Sequence, residues 1–347
     1  MVVIFSLLLC SCGGNEKNSQ AAERVVTQDI AMGTVVSLTI YPKDEQEAQE
    51  AKALEQRILE ELWHLERDCL SRKADSSEVY NINQHAGDLG EMPVSEELGK
   101  ILEECRQMTE DSDGAFDVSI GALVTLWKID EVAAGEIQGS VPSRAAVENA
   151  RSCVGMDGVI LENGCIRLKE GMMLDFGSVG KGIALDHVEK MLRDGGDTAV
   201  PAGVFALGGS IYVYGNKPDG TPWRVAVKDP FSSGGNVGVL EVPAGFKVST
   251  SGDYERFFEA DGRRYSHILD PATGYPADSG LCSVTILSES GFLSDALSTA
   301  CYVLGKEKGS ALAEKYHAEY LFVDENGEIF MSNGMKSRYF SENGVGN

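Results

Sequence analysis

Apolar positions along the chain recur with two different periods, and the change of period marks out its elements. Between Glu45 and Glu66 they fall at Ala48, Ala51, Leu54, Ile58, Leu62 and Leu65, one stripe of a helix. Val94–Thr109 predicts a second helix with Ser95 as N-cap, and Gly182–Arg193 a third, stopped by Gly195-Gly196. On either side of Met32-Gly33-Thr34, Arg24–Ile30 and Val35–Ile40 alternate or run apolar, which predicts two strands or a hairpin. From Val204 the chain reads as short β segments: Val204–Leu207, Ile211–Tyr214, Trp223–Val227, Val237–Val242, Lys247–Thr250 and Tyr254–Glu259. Leu281–Leu287 is a further strand, and Leu293–Leu304 a helix closed by Gly305. After a helical Lys306–His317, Tyr320–Val323 and Glu328–Met331 pair around Glu325-Asn326-Gly327. Helices early and antiparallel-looking strands late predict an α+β fold of mixed or antiparallel sheets with packed helices. No GxGxxG opens a helix after a strand, so a dinucleotide-binding βαβ unit lacks support.

With 347 residues the chain can bury a full core. Its 30 Lys+Arg against 54 Asp+Glu give a formal charge of −24. Such a surface repels phosphate backbones, and no basic stripe interrupts it, so nucleic acid is not expected as a partner. The N-terminus carries a second signal. Val2–Leu9 is apolar but too short to span a bilayer, as in the core of a signal peptide. It runs into Leu9-Cys10-Ser11-Cys12, a pattern that resembles a bacterial lipoprotein cleavage site with Cys12 as the lipidated residue. The expected organisation is a signal peptide over 1–11, a lipid-attached flexible tether over 12–23 and one domain over 24–340. The expected location is the bacterial cell membrane, lipid-anchored on the extracytoplasmic or periplasmic side. Cys69, Cys105, Cys153, Cys165, Cys282 and Cys301 match no CxxC or zinc spacing and mostly sit in apolar runs, as buried free thiols do.

Candidate chemistry lies in polar, glycine-punctuated segments: Ser112–Asp117 (SDGAFD), Asp175–Gly182 (DFGSVGKG), Ser249–Tyr254 (STSGDY) and His267–Pro276 (HILDPATGYP). Glycines allow a backbone to approach a ligand closely, and amides at a helix start favour phosphate. Lys181, at such a start, would offer a point charge to a phosphoryl oxygen. Ordinary tight turns use the same residues. Asp295 and Thr299 stand four apart in a predicted helix and share a face. A carboxylate beside a hydroxyl suits Mg²⁺, although on spacing alone the better reading is a pair that faces solvent or caps something. Asp270 could orient His267, reach a metal shell or form the turn before Pro271.

Taken in order, Met32-Gly33-Thr34, SDGAFD, DFGSVGKG, Leu207–Gly209, Trp223–Val225 with Asp229-Pro230, STSGDYER, HILDPATGYP and Asp295–Thr299 (DALST) resemble the FAD:protein FMN transferase (ApbE) family. The resemblance spans about residues 30 to 305. It implies an ApbE-like fold with its active site between the lobes, and Mg²⁺-dependent cleavage of FAD, Mn²⁺ being the alternative cation. FMN would pass through a phosphoester to a threonine of a partner protein, with AMP released. It further implies that Asp295 and Thr299 are side-chain metal ligands and that Ser178 supplies another, often by its carbonyl. Met32, Ala115, Phe116, Asp117, Asp175, Lys181 and Leu269 stand at positions that contact FAD, and His267 matches the catalytic histidine, read as the general base. Lys73 falls where some members set an aromatic residue against the adenine. Implied acceptors are threonines of membrane redox subunits, of Na⁺-translocating NADH:quinone reductase or Rnf type. Two other activities fit the same site: an FAD pyrophosphatase giving FMN and AMP, and a non-catalytic FAD-binding lipoprotein.

Overall fold

The computed structural model describes residues 23–88, 90–194 and 200–341. The expected signal peptide, Cys12, most of the tether and the Gly195-Gly196 stop lie outside the described residues.

An eight-stranded sheet runs through the centre: Val25–Ala31 (β1), Thr34–Ile40 (β2), Ala202–Leu207 (β3), Ser210–Gly215 (β4), Lys247–Gly252 (β5), Leu281–Ser288 (β6), Glu319–Asp324 (β7) and Ile329–Met331 (β8). Every neighbouring pair is antiparallel, and the spatial order repeats the chain order. Side chains alternate between two covered faces. Val36, Leu38, Ile40, Phe205, Leu207 and Tyr212 meet helices on one face. Val213, Val248, Leu287, Leu321 and Val323 meet a three-stranded sheet of Trp223–Lys228, Asn236–Val242 and Tyr339–Ser341 on the other. Coverage of both faces buries all eight residues of β6.

Four helices do most of the covering: Glu45–His64 (α1), Glu96–Asp111 (α2), Gly180–Asp194 (α3) and Gly291–Lys315 (α4). Ser95 Oγ accepts from the Leu98 amide at 3.1 Å, the N-cap its residue type predicts. In α1 the apolar stripe continues past His64 into a π-helical turn, Leu65–Leu70. Gly305, with φ 75°, breaks α4 where a C-cap is expected, yet the chain resumes a helix at once and the two stretches read as one kinked element. The expected strand at Tyr254 begins only at Phe257, because Asp253–Glu255 form a turn, with Glu255 N–H on the Gly252 carbonyl. That strand pairs with Arg263–Ser266 instead of the main sheet.

Helices α3 and α4 cross at Gly182 and Gly291. A Cβ on either glycine would sit well inside contact with the other's carbonyl oxygen. At this crossing each helix caps the other. Asp186 of α3 accepts from Gly291 N at 2.7 Å and Phe292 N at 2.9 Å, and Asp295 of α4 accepts from Gly182 N at 2.9 Å. Beneath the crossing, fully buried Lys247 pairs with Glu189 and with Asp186 (3.3 Å), and donates to the Glu289 carbonyl at 2.6 Å. Two short helices, Gly121–Trp127 and Ile129–Ala133, follow α2, the second packing on Phe257–Ala260.

Candidate active site

A cavity of about 300 Å³ opens between the two groups of elements, and all four glycine-punctuated segments reach it. The sharp β1–β2 turn forms one corner. Met32 (φ 53°) and Gly33 (φ 66°) both adopt left-handed backbone, the geometry of a two-residue hairpin, and the turn sets Thr34 on the wall. Helix α2 ends in SDGAFD: Gly114 N–H returns to the Thr109 carbonyl at 2.8 Å and Ser112 Oγ accepts from Phe116 N at 3.1 Å. This turn carries Ala115, Phe116 and Asp117 to the cavity. Burial lifts the Asp117 carboxyl above its usual range, against the hydrogen bonding from Ser119 that lowers it.

Asp175 opens the next segment. One of its oxygens accepts from Gly177 N at 2.8 Å and the other meets Arg72 Nε at 2.6 Å, so the approach to α3 is pinned before the helix starts. Gly180 N–H on the Phe176 carbonyl at 2.7 Å begins that helix, two residues earlier than the apolar pattern suggests. Ser178 and Lys181 thereby line the cavity, with Lys181 Nζ 3.5 Å from Asp295 Oδ2. Asp295 is only 3% exposed. Its Oδ1 accepts from Ser210 Oγ at 2.9 Å, and one turn further along α4 Thr299 Oγ1 lies 3.4 Å from Ser251 Oγ.

His267 completes the wall. Its Nδ1 lies 3.3 Å from the Arg256 carbonyl, and its backbone N–H donates to the same oxygen at 3.0 Å. A carbonyl can only accept, so the proton belongs on Nδ1 and Nε2 keeps its lone pair. Burial, and then the Arg256 and Lys181 charges, push the ring's pKa down to about 4, with Asp130 opposing. The imidazole is therefore neutral at neutral pH and able to take a proton. Asp270 is a turn former: its Oδ1 accepts from Ala272 N at 2.8 Å, closing the loop whose Leu269 and Pro271 line the cavity.

Two sequence candidates lie off the lining. Met32 packs its side chain against the core beneath the hairpin, its methyl close to Gly180. Lys73 points to Glu131, Nζ to Oε1 2.8 Å, on the helix whose Ile129 and Asp130 face the cavity. The apolar wall of Ile120, Val124, Trp127 and Ile129 was not among the sequence candidates. Its signal was the short run Gly121–Trp127, too brief to be read as a cavity wall. Trp127 is anchored from behind by stacking on Tyr265 (centroids 5.6 Å apart) and by Nε1 donating to the Gly274 carbonyl at 2.9 Å.

Among the described residues no three His, Cys, Asp or Glu side chains converge on one point. A cation here would draw on one carboxylate together with hydroxyl, carbonyl and substrate oxygens, a hard set that fits Mg²⁺. Each Asp295 oxygen keeps a lone pair beyond the bond it already accepts.

The ApbE family profile matches residues 32–322. The chain is 30% identical over 334 residues to a FAD:protein FMN transferase of Vibrio cholerae serotype O1, covering 95% of both chains. It is 32% identical over 315 residues to one of Klebsiella pneumoniae, covering 89% of this chain and 92% of the other. The crystal structure of the ApbE protein from Thermotoga maritima superposes with a TM-score of 0.80 at 31% identity, over 91% of this chain and 99% of that one.

Proposed function

We propose the following from the premise that this chain belongs to the ApbE family and is a FAD:protein FMN transferase: it is a Mg²⁺-dependent enzyme that attaches FMN by a phosphoester to a threonine of a partner protein. The supporting observation is that Ser178, Lys181, His267, Asp295 and Thr299, drawn from distant parts of the sequence, line one cavity. Asp295, Thr299 and Ser178 would hold the cation, with Mn²⁺ as an alternative. When bound, the cation neutralises the diphosphate of FAD and polarises the phosphorus under attack.

The chain's own residues supply the rest. Ala115, Phe116, Asp117, Asp175 and Leu269 bind and orient the dinucleotide, and Lys181 sets a positive charge at its phosphates. His267 Nε2 takes the proton of the acceptor hydroxyl. The hydroxyl oxygen forms a bond to the FMN-side phosphorus, and the P–O bond to the AMP phosphate breaks, its electron pair leaving with AMP. Phosphoryl transfer asks chiefly for positioning and charge stabilisation, which this set provides. The acceptor class is a threonine of a membrane redox subunit, of Na⁺-translocating NADH:quinone reductase or Rnf type. A lipid on Cys12 would hold the enzyme at the extracytoplasmic membrane face where such threonines lie.

Incubation with FAD, Mg²⁺ and a candidate acceptor, followed by intact-mass spectrometry, tests the reading. The acceptor should gain one FMN phosphoester as AMP appears. Release of free FMN with an unmodified acceptor would make the protein a pyrophosphatase, and FAD that stays intact would make it a binding lipoprotein.

A further inference from the structure

We propose that Arg256 is a catalytic residue of this site, its guanidinium donating to the non-bridging oxygens of the phosphoryl group during transfer. The inference rests on the phosphoryl-transfer reading above. Arg256 follows the strand segment that carries Thr250 and Ser251, and it lines the same cavity as His267, Lys181 and Asp295. Two contacts fix the plane of its side chain. Nη1 donates to Asp130 Oδ1 at 3.0 Å, and Nη2 reaches the Gly33 carbonyl at 3.4 Å. A guanidinium has five N–H donors, so these two leave three for a ligand. The side chain stays 40% exposed.

The backbone of the same residue holds the base. The Arg256 carbonyl accepts from both the His267 amide and Nδ1. One residue thus orients the imidazole and presents a fixed positive fork beside it. The Arg256 charge is also the strongest of those acting on the His267 ring, ahead of Asp130 and Lys181, in keeping with a position next to the reacting groups. As the hydroxyl oxygen bonds to phosphorus and the AMP oxygen departs, the non-bridging oxygens carry negative charge throughout. A planar fork matches them better than a point charge does. Asp130 keeps the fork from swinging toward solvent.

Arg256→Ala, Arg256→Lys and Asp130→Asn separate this role from a merely structural one. Single-turnover FMN transfer, FAD binding by flavin fluorescence and melting temperature would be measured on each full-length protein. Arg256→Ala should slow transfer by roughly 10²–10³-fold, the usual loss for one charge-stabilising donor, with FAD affinity changed less than about fivefold. Added guanidinium ion should restore part of that rate, and Arg256→Lys should fall between the two. Asp130→Asn should cost far less than Arg256→Ala. Transfer by Arg256→Ala within about threefold of the parent would overturn the assignment, as would a loss confined to FAD affinity or an equal loss in Asp130→Asn. If the parent protein itself transfers no FMN, the phosphoryl-transfer reading fails; if it does and Arg256→Ala matches it, this inference alone fails.

Discussion

Replacing Asp295 by alanine should weaken the fold as well as silence the site, because one carboxylate serves both. Its oxygens accept from the Gly182 amide and the Ser210 hydroxyl, each at 2.9 Å, and Lys181 Nζ stands 3.5 Å away. Alanine leaves the buried Gly182 N–H without its partner, while the Ser210 hydroxyl can rotate. A buried donor left unpaired costs about 1–3 kcal/mol, so the loss should be roughly 2–4 kcal/mol with Lys181 also unpaired. Against a total stability of about 5–15 kcal/mol the variant stays folded. Its melting temperature should drop by roughly 3–6 °C, followed by circular dichroism. Asp295→Asn keeps one acceptor oxygen and should lose about half as much. Saturating FAD and Mg²⁺ should raise the parent's midpoint and leave the variant's in place, since ligand that binds the native state at about 100 times its Kd adds about 2.7 kcal/mol. A variant that melts within roughly 1 °C of the parent refutes the capping role. One that transfers FMN at the parent rate refutes the ligand role.

Three further outcomes follow from the same geometry. Gly182→Ala forces a methyl into the Gly291 carbonyl and should cost about 3 kcal/mol or more while lowering transfer, checked by urea denaturation and rate; a neutral substitution would show that the helices can part. His267 should leave the transfer rate flat from neutral pH down to about pH 5, falling as protonation removes the base near pH 4. The sign for stability agrees: the unfolded chain binds this proton near pH 6.5 and the native one only near 4, so this group's contribution shrinks as pH falls between them. A rate limb near 6.5 would contradict that environment. Lys247→Met takes the buried cation from Glu189, which keeps Arg193, and from Asp186, which keeps the Gly291 and Phe292 amides, and should cost about 1–3 kcal/mol, read by calorimetry; an unchanged melting temperature would show that these remaining partners suffice.

Much of this was legible in the residues. The α1 stripe, the Ser95 cap, the Gly305 break and the β segments announce themselves through period and turn chemistry, which are local. The α+β class follows from their order, and the family from the motifs. What escaped is long-range. Nothing in Gly121–Trp127 tells that it will wall a cavity shared with Lys181, His267 and Asp295, since a short apolar run does not name its partner. Arg256 reads as a surface charge until Asp130 and Gly33 are found beside it. The reciprocal capping by Asp186 and Asp295 is likewise invisible, for each carboxylate sits mid-helix and finds its amide more than 100 residues away. Lys73 and Met32 stand near the site and off its lining for a related reason: a position in a motif fixes the backbone, and the local ion pair or core then takes the side chain.

The in-order sheet has a consequence for biosynthesis. The N-terminal hairpin can close as soon as Ile40 emerges, but its inner edge pairs next with Gly203–Leu207, about 160 residues later. At translation speeds of about 5–20 residues per second, that edge waits on the order of 10–30 s with its backbone donors and acceptors unpaired, although α1 can already cover Val36, Leu38 and Ile40. A nascent chain in that state needs shelter from a chaperone or a holding channel, and overproduction should fail first there, by intermolecular pairing of orphaned hairpins.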